Sequence, residues 1–134
     1  MSDSLNAVAG FLHGNGEPLL GFEGDDAQAE AEAILNCSGR QYCVVREWII
    51  AHVEVPDDYR ASLSADGLEP NVIYAFNVVL HSAGKRRGGD WVRSTFQRSN
   101  SEVHLFKTKN TTYVLLGPGV RKNVSAKTIL AILE

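Results

Sequence analysis

Alternating apolar and polar residues predict a long strand in the middle of the chain. Every second residue from position 72 to position 80 is apolar, and these residues are Val72, Tyr74, Phe76, Val78 and Leu80. A period of two is what a strand needs to bury one face. We therefore predict a strand over residues 71–81 with these side chains in the core.

Residues 41–55 predict an earlier strand, because they are rich in β-branched and aromatic side chains. One face is apolar by parity, with Glu47 as the exception, and holds Cys43, Val45, Ile49, Ala51, Val53 and Val55. Strands of this length are unusual. We therefore expect a bend or bulge near Glu47 and Trp48, and Pro56 ends the run.

Helical spacing predicts helices at both ends of the chain. Residues 4–12 place apolar side chains on one helical face. Ser125 is a predicted N-cap for a last helix that docks on the sheet. The glycine-rich residues 14–24 between the first two helices are interpreted as a plain connecting loop.

Two further helices are predicted inside the chain. One starts at Asp25 and Asp26 and ends at Gly39, and its predicted buried stripe is Ala27, Ala31, Ile34 and Leu35. Residues 57–67 predict a short helix that is capped by Asp57, with Tyr59 and Leu63 facing inward.

Shorter strands are predicted over residues 91–98, 103–107 and 112–116, before a rigid turn at Gly117, Pro118 and Gly119. This order predicts an α+β fold in a single domain of residues 1–134. We expect a mainly antiparallel sheet of about five strands. The N-terminal and C-terminal helices are expected to cover one face and to leave the other partly open.

Length and composition predict a soluble, cytoplasmic protein. The chain has 134 residues, 44% hydrophobic and 22% charged, which is ordinary globular composition. No apolar run approaches the roughly 18 residues that span a bilayer, and residues 1–14 lack the pattern of a secretory signal. In the cytoplasm we expect Cys37 and Cys43 to be reduced thiols. Their spacing also allows a disulfide, but it does not imply one.

Charge is divided unequally between the two parts of the chain. Residues 1–84 hold 3 basic and 13 acidic residues, a net charge of −10, and residues 85–134 hold 10 basic and 3 acidic residues, a net charge of +7. Such asymmetry can indicate a polyanion-binding surface, but the two parts can also interleave in one domain.

The basic part of the chain supplies the candidate binding residues. They are expected to lie on neighbouring strands and turns, and they are Lys85, Arg86, Arg87, Trp91, Arg93, Lys107, Lys109 and Arg121. Trp91 and Arg93 share a strand face, and an arginine beside an indole can hold a base or a partner's side chain. The alternative is a solvated face whose charges prevent aggregation at sheet edges.

Several short motifs resemble a known family. They are Arg46-Glu47-Trp48, Gly89-Asp90-Trp91-Val92-Arg93-Ser94, the run from Tyr113 to Gly119 with Arg121, and the loop from Gly14 to Pro18. Together they resemble a small bacterial family of unknown function over most of the chain. The resemblance implies no activity, substrate or catalytic residue, and it favours a bacterial or phage origin.

The sequence offers no motif for catalysis or for metal binding. The four histidines lack the close spacing of metal ligands, and neither cysteine lies in an activating motif. We predict that the protein binds no metal and no cofactor. We also predict that it is a non-enzymatic binding or regulatory module with an unknown protein partner. The alternatives are nucleic-acid or nucleotide binding through the basic strands and loop of residues 84–121, and an uncharacterised enzyme.

Overall fold

The computed structural model describes residues 2–84, 90–98 and 104–131. It combines helices with a mixed, mostly antiparallel sheet, so the predicted α+β class is confirmed. The elements in these residues are α1 (Ser2–His13), β1 (Glu17–Leu20), α2 (Asp26–Asn36), β2 (Gln41–Glu54), α3 (Asp57–Ala65), β3 (Leu68–Glu69), β4 (Asn71–His81), β5 (Val92–Arg93), β6 (Gln97–Arg98), β7 (Leu105–Lys107), β8 (Thr111–Leu115), β9 (Pro118–Ser125) and α4 (Ala126–Ala131).

Strand β2 is the centre of the main sheet. One of its edges pairs antiparallel with β4, and β4 pairs with β5. Its other edge pairs in parallel with two strands in succession, first β8 and then β9. Strand β7 extends the sheet beyond β8, and β1 extends it beyond β9. The result is a seven-stranded sheet with a separate β3–β6 ladder, rather than the predicted five strands.

Strands β1 and β9 lie where the sequence predicted a loop and a turn. They pair with each other antiparallel, Glu17 opposite Arg121 and Leu20 opposite Pro118. Pro118 is tolerated because it is the first residue of its strand, and Gly117 before it turns the chain with φ of 75°. Both strands form through pairing with distant partners and not through their own residue preferences.

The expected irregularity in β2 is confirmed, and it changes which residues face the same side. Glu47 has φ of 54°, the left-handed region that interrupts the alternation of an extended strand. As a result, Cys43 and Val45 pack in one cluster with Trp48. The prediction that they share a face with Ile49, Ala51 and Val53 is wrong, because those three residues pack with α1 and α4 instead.

Strand β4 buries side chains on both of its faces. Val72 and Tyr74 pack with residues of α1 and α4. Ile73, Ala75 and Val78 pack on the opposite side with Trp48, so this face is not open as expected. Phe76 and Leu80 are only partly buried. The period of two therefore located the strand but did not show that its second face is covered.

Helix α2 faces the sheet differently from the prediction. The capping box between Asp25 and Gln28 starts the helix as expected. However, the buried residues are Ala29 and Ala33, whereas Ile34 and Leu35 are 56% and 81% exposed. The predicted stripe is wrong because alanines four residues apart let α2 pack closely on β2 and β8.

Helices α3 and α4 differ in how well the sequence described them. In α3 Leu63 is buried as expected, but Tyr59 is 46% exposed and no side chain caps the helix at Asp57. The Ser125 cap of α4 is confirmed, because Ser125 Oγ accepts a hydrogen bond from the Thr128 N–H at 3.1 Å. Ile129 of α4 is buried in the cluster that also contains Phe11 of α1.

Candidate functional site

The predicted basic residues occupy different parts of the sheet. Lys85, Arg86 and Arg87 lie outside the described residues. Of the others, Trp91 and Arg93 lie at β5, Lys107 ends β7, Lys109 lies in the β7–β8 turn, and Arg121 lies on β9.

The pairing register of β2 gives the distances between these groups. Tyr74 pairs with both Arg93 and Ile49, so Arg93 lies level with Ile49 of β2. Arg121 pairs with the next residue of β2, Ile50. Arg93 and Arg121 are nevertheless three strand spacings apart, about 14 Å. Lys107 lies level with Tyr42 of β2, and Tyr42 is about 23 Å from Ile49 along this strand. The described candidate residues therefore form three groups and not one surface, and their role in binding stays a prediction.

Trp91 and Arg93 are the predicted pair that the structure places beside a pocket. The Trp91 ring stacks on Tyr74 with ring centres 5.6 Å apart, and it remains 42% exposed. Arg93 pairs with Tyr74 in the sheet and points its half-buried side chain into a pocket next to α4.

This pocket has a volume of about 460 Å³, within the range of ligand sites in proteins. It lies between the end of β2, the starts of α3 and β4, the β5–β6 connection and α4. Its wall is mostly apolar and is formed by Val53, Val55, Pro56, Tyr59, Val72, Arg93, Ser94, Thr95, Phe96, Ala126 and Ile129. We call it the apolar pocket.

Hydrogen bonds of Ser94 turn the chain away from the sheet and open the pocket. Ser94 Oγ accepts from the Ile73 N–H and donates to the Thr95 carbonyl, both at 2.8 Å. After this turn Phe96 reaches α3, where it packs edge-on against Tyr59 with ring centres 6.3 Å apart. The side chains of α4 do not fill the space that remains behind this turn.

The half-buried side chain of Arg93 lacks one hydrogen bond. Its Nε is buried, and among the described residues no acceptor contacts it. The two ion pairs found in the same residues, Arg46–Asp26 and His104–Glu32, involve other groups. Burial lowers the pKa of Arg93 from its ordinary value, although a guanidinium remains charged at neutral pH. The apolar pocket therefore contains a cation that can bind an anionic group.

A second, polar cavity of about 670 Å³ lies between α1 and β9. Lys122 spans it, with Nζ donating to the Phe11 carbonyl and lying 5.8 Å from the centre of the Phe11 ring. Burial lowers the pKa of Lys122. Glu17, Glu54 and Arg121 line the same cavity, so two acidic and two basic residues balance its charge. We interpret Lys122 as a residue that ties α1 to β9.

The cysteines and histidines do not converge in the described residues. Cys37 and Cys43 are buried thiols and form no disulfide with each other. His52 Nδ1 lies 2.8 Å from Asn71 Oδ1, and His104 Nε2 lies 3.4 Å from Glu32. Residues 2–84, 90–98 and 104–131 contain no group of three potential metal ligands, and the prediction about metal stays untested.

Comparison with family models matches residues 20–131 to DUF6957, a domain of unknown function. The chain belongs to this family. The predicted resemblance to a family of unknown function is thereby confirmed. The match includes every residue that lines the apolar pocket. No curated protein and no solved structure matches the chain.

The sequence identified Arg93 but not the rest of the pocket. Tyr59, Phe96 and Ile129 are far apart in the chain, and nothing in their local patterns shows that they meet. The signal that identified Arg93 was its place on one strand face with Trp91 in a basic stretch. In the described part of the chain no helix is long and apolar enough to cross a membrane.

Proposed function

We propose that this member of DUF6957 is a non-enzymatic, cytoplasmic binding module that holds a protein partner at the apolar pocket. The observation that supports this proposal is the pocket itself, an apolar space of about 460 Å³ with a single cation, Arg93, in its wall. Pockets of this kind accept a large apolar side chain of a partner and exclude water around it.

The rim of the pocket suits a protein interface. Tyr59 on its wall and Trp91 beside Arg93 are 46% and 42% exposed. Exposed aromatic residues and arginine are enriched at the centres of such interfaces. Aromatic side chains combine a large apolar area with few rotatable bonds, so little conformational entropy is lost when a partner binds.

The polar groups of the lining favour binding over catalysis. Besides Arg93, the wall contributes the hydroxyls of Tyr59, Ser94 and Thr95. The Ser94 hydroxyl already makes two hydrogen bonds within the fold. General acid–base catalysis relies most often on a histidine or a carboxylate, and the lining supplies neither.

Nucleic-acid binding has less support from the geometry. Phosphate backbones bind where several cations follow one another along a surface. The described candidate residues instead lie in groups separated by about 14 and 23 Å, as estimated from strand spacing. We therefore rank this function below binding of a protein partner.

Site-specific cross-linking tests the proposed function. Thr95 is exposed and lies on the pocket wall, so the photoreactive substitution Thr95→p-benzoylphenylalanine places the cross-linker there with little effect on folding. Asn110→p-benzoylphenylalanine in the exposed β7–β8 turn is the matched control. After irradiation in lysate of the source organism, we expect one protein to be cross-linked through a defined peptide at position 95 but not at position 110. Equal labelling at both positions, or none at position 95, would refute the proposal.

A further inference from the structure

We infer that the apolar pocket binds the C-terminal residue of the partner, with an apolar side chain in the pocket and the terminal carboxylate against Arg93. This inference rests on the proposed function and names the chemistry of the segment that is bound. Arg93, Phe96 and Ile129 carry the argument, because they join one cation to a largely apolar wall.

The unpartnered nitrogen of Arg93 indicates that the bound group is negatively charged. Removing a cation from water is unfavourable unless hydrogen bonds or an opposite charge replace the lost hydration. The Arg93 Nε has neither among the described residues. A bound anion would supply both, and carboxylates match the planar fork of a guanidinium with two parallel hydrogen bonds.

The charges around the pocket favour a carboxylate over a phosphate. A phosphate monoester carries close to two charges and three strong acceptor oxygens at neutral pH. The pocket wall offers one cation and, besides the engaged Ser94 hydroxyl, two other hydroxyl groups. The exposed acids Glu54, Asp57 and Asp58 also flank the wall residues Val55 and Pro56. A group with a single negative charge therefore fits this environment better than a dianion.

The features of the pocket favour a carboxylate at the C-terminus of the partner. The pocket combines an apolar wall with a single cation at the β5 side. One residue that carries both an apolar side chain and a carboxylate satisfies both features at once. A C-terminal leucine or phenylalanine has this chemistry, whereas an internal apolar residue has an amide in place of the carboxylate.

The experiment compares two minimal probes that differ only in charge. N-acetyl-L-phenylalanine and its amide are titrated to about 10 mM into the ¹⁵N-labelled chain, since molecules of this size reach affinities of about 1 mM. Amide signals of residues 93–96 and the Trp91 indole signal report binding. We expect the acid to bind at least about tenfold more tightly than the amide.

Variants assign this difference to Arg93. Arg93→Met keeps the apolar stem but removes the charge, and we expect it to abolish the preference for the acid. Arg121→Met makes the same charge change three strands away, and we expect it to leave the preference unchanged. Thermal unfolding shows whether each variant is folded, and Arg93→Gln replaces Arg93→Met if the latter unfolds.

The outcomes separate this inference from the proposed function. Equal binding of acid and amide, an unchanged preference in the Arg93 variant, or no binding of either probe each refutes the role of the carboxylate. None of these results affects the cross-linking at position 95, which decides whether a protein partner occupies the pocket. If the cross-link is found and the probes do not discriminate, the partner uses the pocket without a terminal carboxylate.

Discussion

Gly119 of β9 is in such close contact with Trp48 that adding one methyl group should destabilise the fold. A Cβ atom built on Gly119 would lie 2.3 Å from Trp48 Cδ2 and 2.5 Å from Cε2 and Cε3, whereas ordinary contacts begin at 3.4 Å. The ring or the strand must therefore move by about 1.1 Å. Because Trp48 is only 1% exposed, its ring cannot turn into solvent to relieve the clash.

The magnitude follows from this confinement. Overpacking of a well-packed core typically costs about 1–3 kcal/mol, and we expect Gly119→Ala to lie near 3 kcal/mol because the opposing atoms belong to a rigid ring. For a chain of this length that corresponds to a fall in Tm of roughly 10 °C. Urea unfolding followed by tryptophan fluorescence measures the change in the free energy of unfolding directly.

Gly10→Ala provides the matched control. Gly10 lies inside α1 and has no atom within 4 Å of an added Cβ. Alanine forms helices better than glycine, so this variant should gain about 0.5–1 kcal/mol. A double-mutant cycle with Trp48→Phe should show coupling between positions 48 and 119. A loss below about 1 kcal/mol for Gly119→Ala, with an unchanged urea dependence, would contradict this account of the contact.

Three further variants test other features. Glu47→Gly should raise the free energy of unfolding by about 1 kcal/mol, because glycine adopts the left-handed φ of Glu47 without steric cost; a lower urea midpoint would contradict this. Lys122→Met should lower stability by about 1 kcal/mol and speed hydrogen exchange in α1, because the bond to the Phe11 carbonyl is lost; unchanged exchange would refute the tie. At about 0.15 M salt we expect the protein not to bind mixed DNA or RNA. Binding that is lost in the double variant Arg86→Ala and Arg87→Ala would instead support the polyanion-binding alternative.

Long central strands were the most predictable part of the fold. Strands β2 and β4 each carry more than ten residues, so their alternation stands out over local variation. The irregularity at Glu47 could also be expected, since a strand as long as β2 seldom stays regular. The change of face that follows could not be predicted, because parity counting assumes an uninterrupted strand.

Strands β1 and β9 could not be predicted from their own residues. Strand β1 has one proline among four residues, and β9 starts with Pro118 and Gly119. Such residues are depleted in strands. Their extended form depends on pairing with each other and, for β9, with β2, which is information that no local pattern contains.

The candidate site shows the same limit. Arg93 could be selected because it lies beside Trp91 in a basic stretch. However, the pocket exists only because residues from several elements between Val53 and Ile129 meet behind α4. The other predicted cations were selected for charge alone, and the register of β2 separates the described ones. Proximity in the sheet depends on pairing order, which the sequence did not reveal.

The pairing of β1 with β9 has a consequence for how the chain is made. The residues that face each other across this ladder lie about 100 positions apart. At synthesis rates of about 5–20 residues per second, β1 leaves the ribosome roughly 5–20 s before its partner strand. The parallel partners of β2 are also made long after β2 itself. The main sheet therefore closes late in synthesis, and until then the apolar residues of β2 and β4 depend on each other or on a chaperone for protection from aggregation.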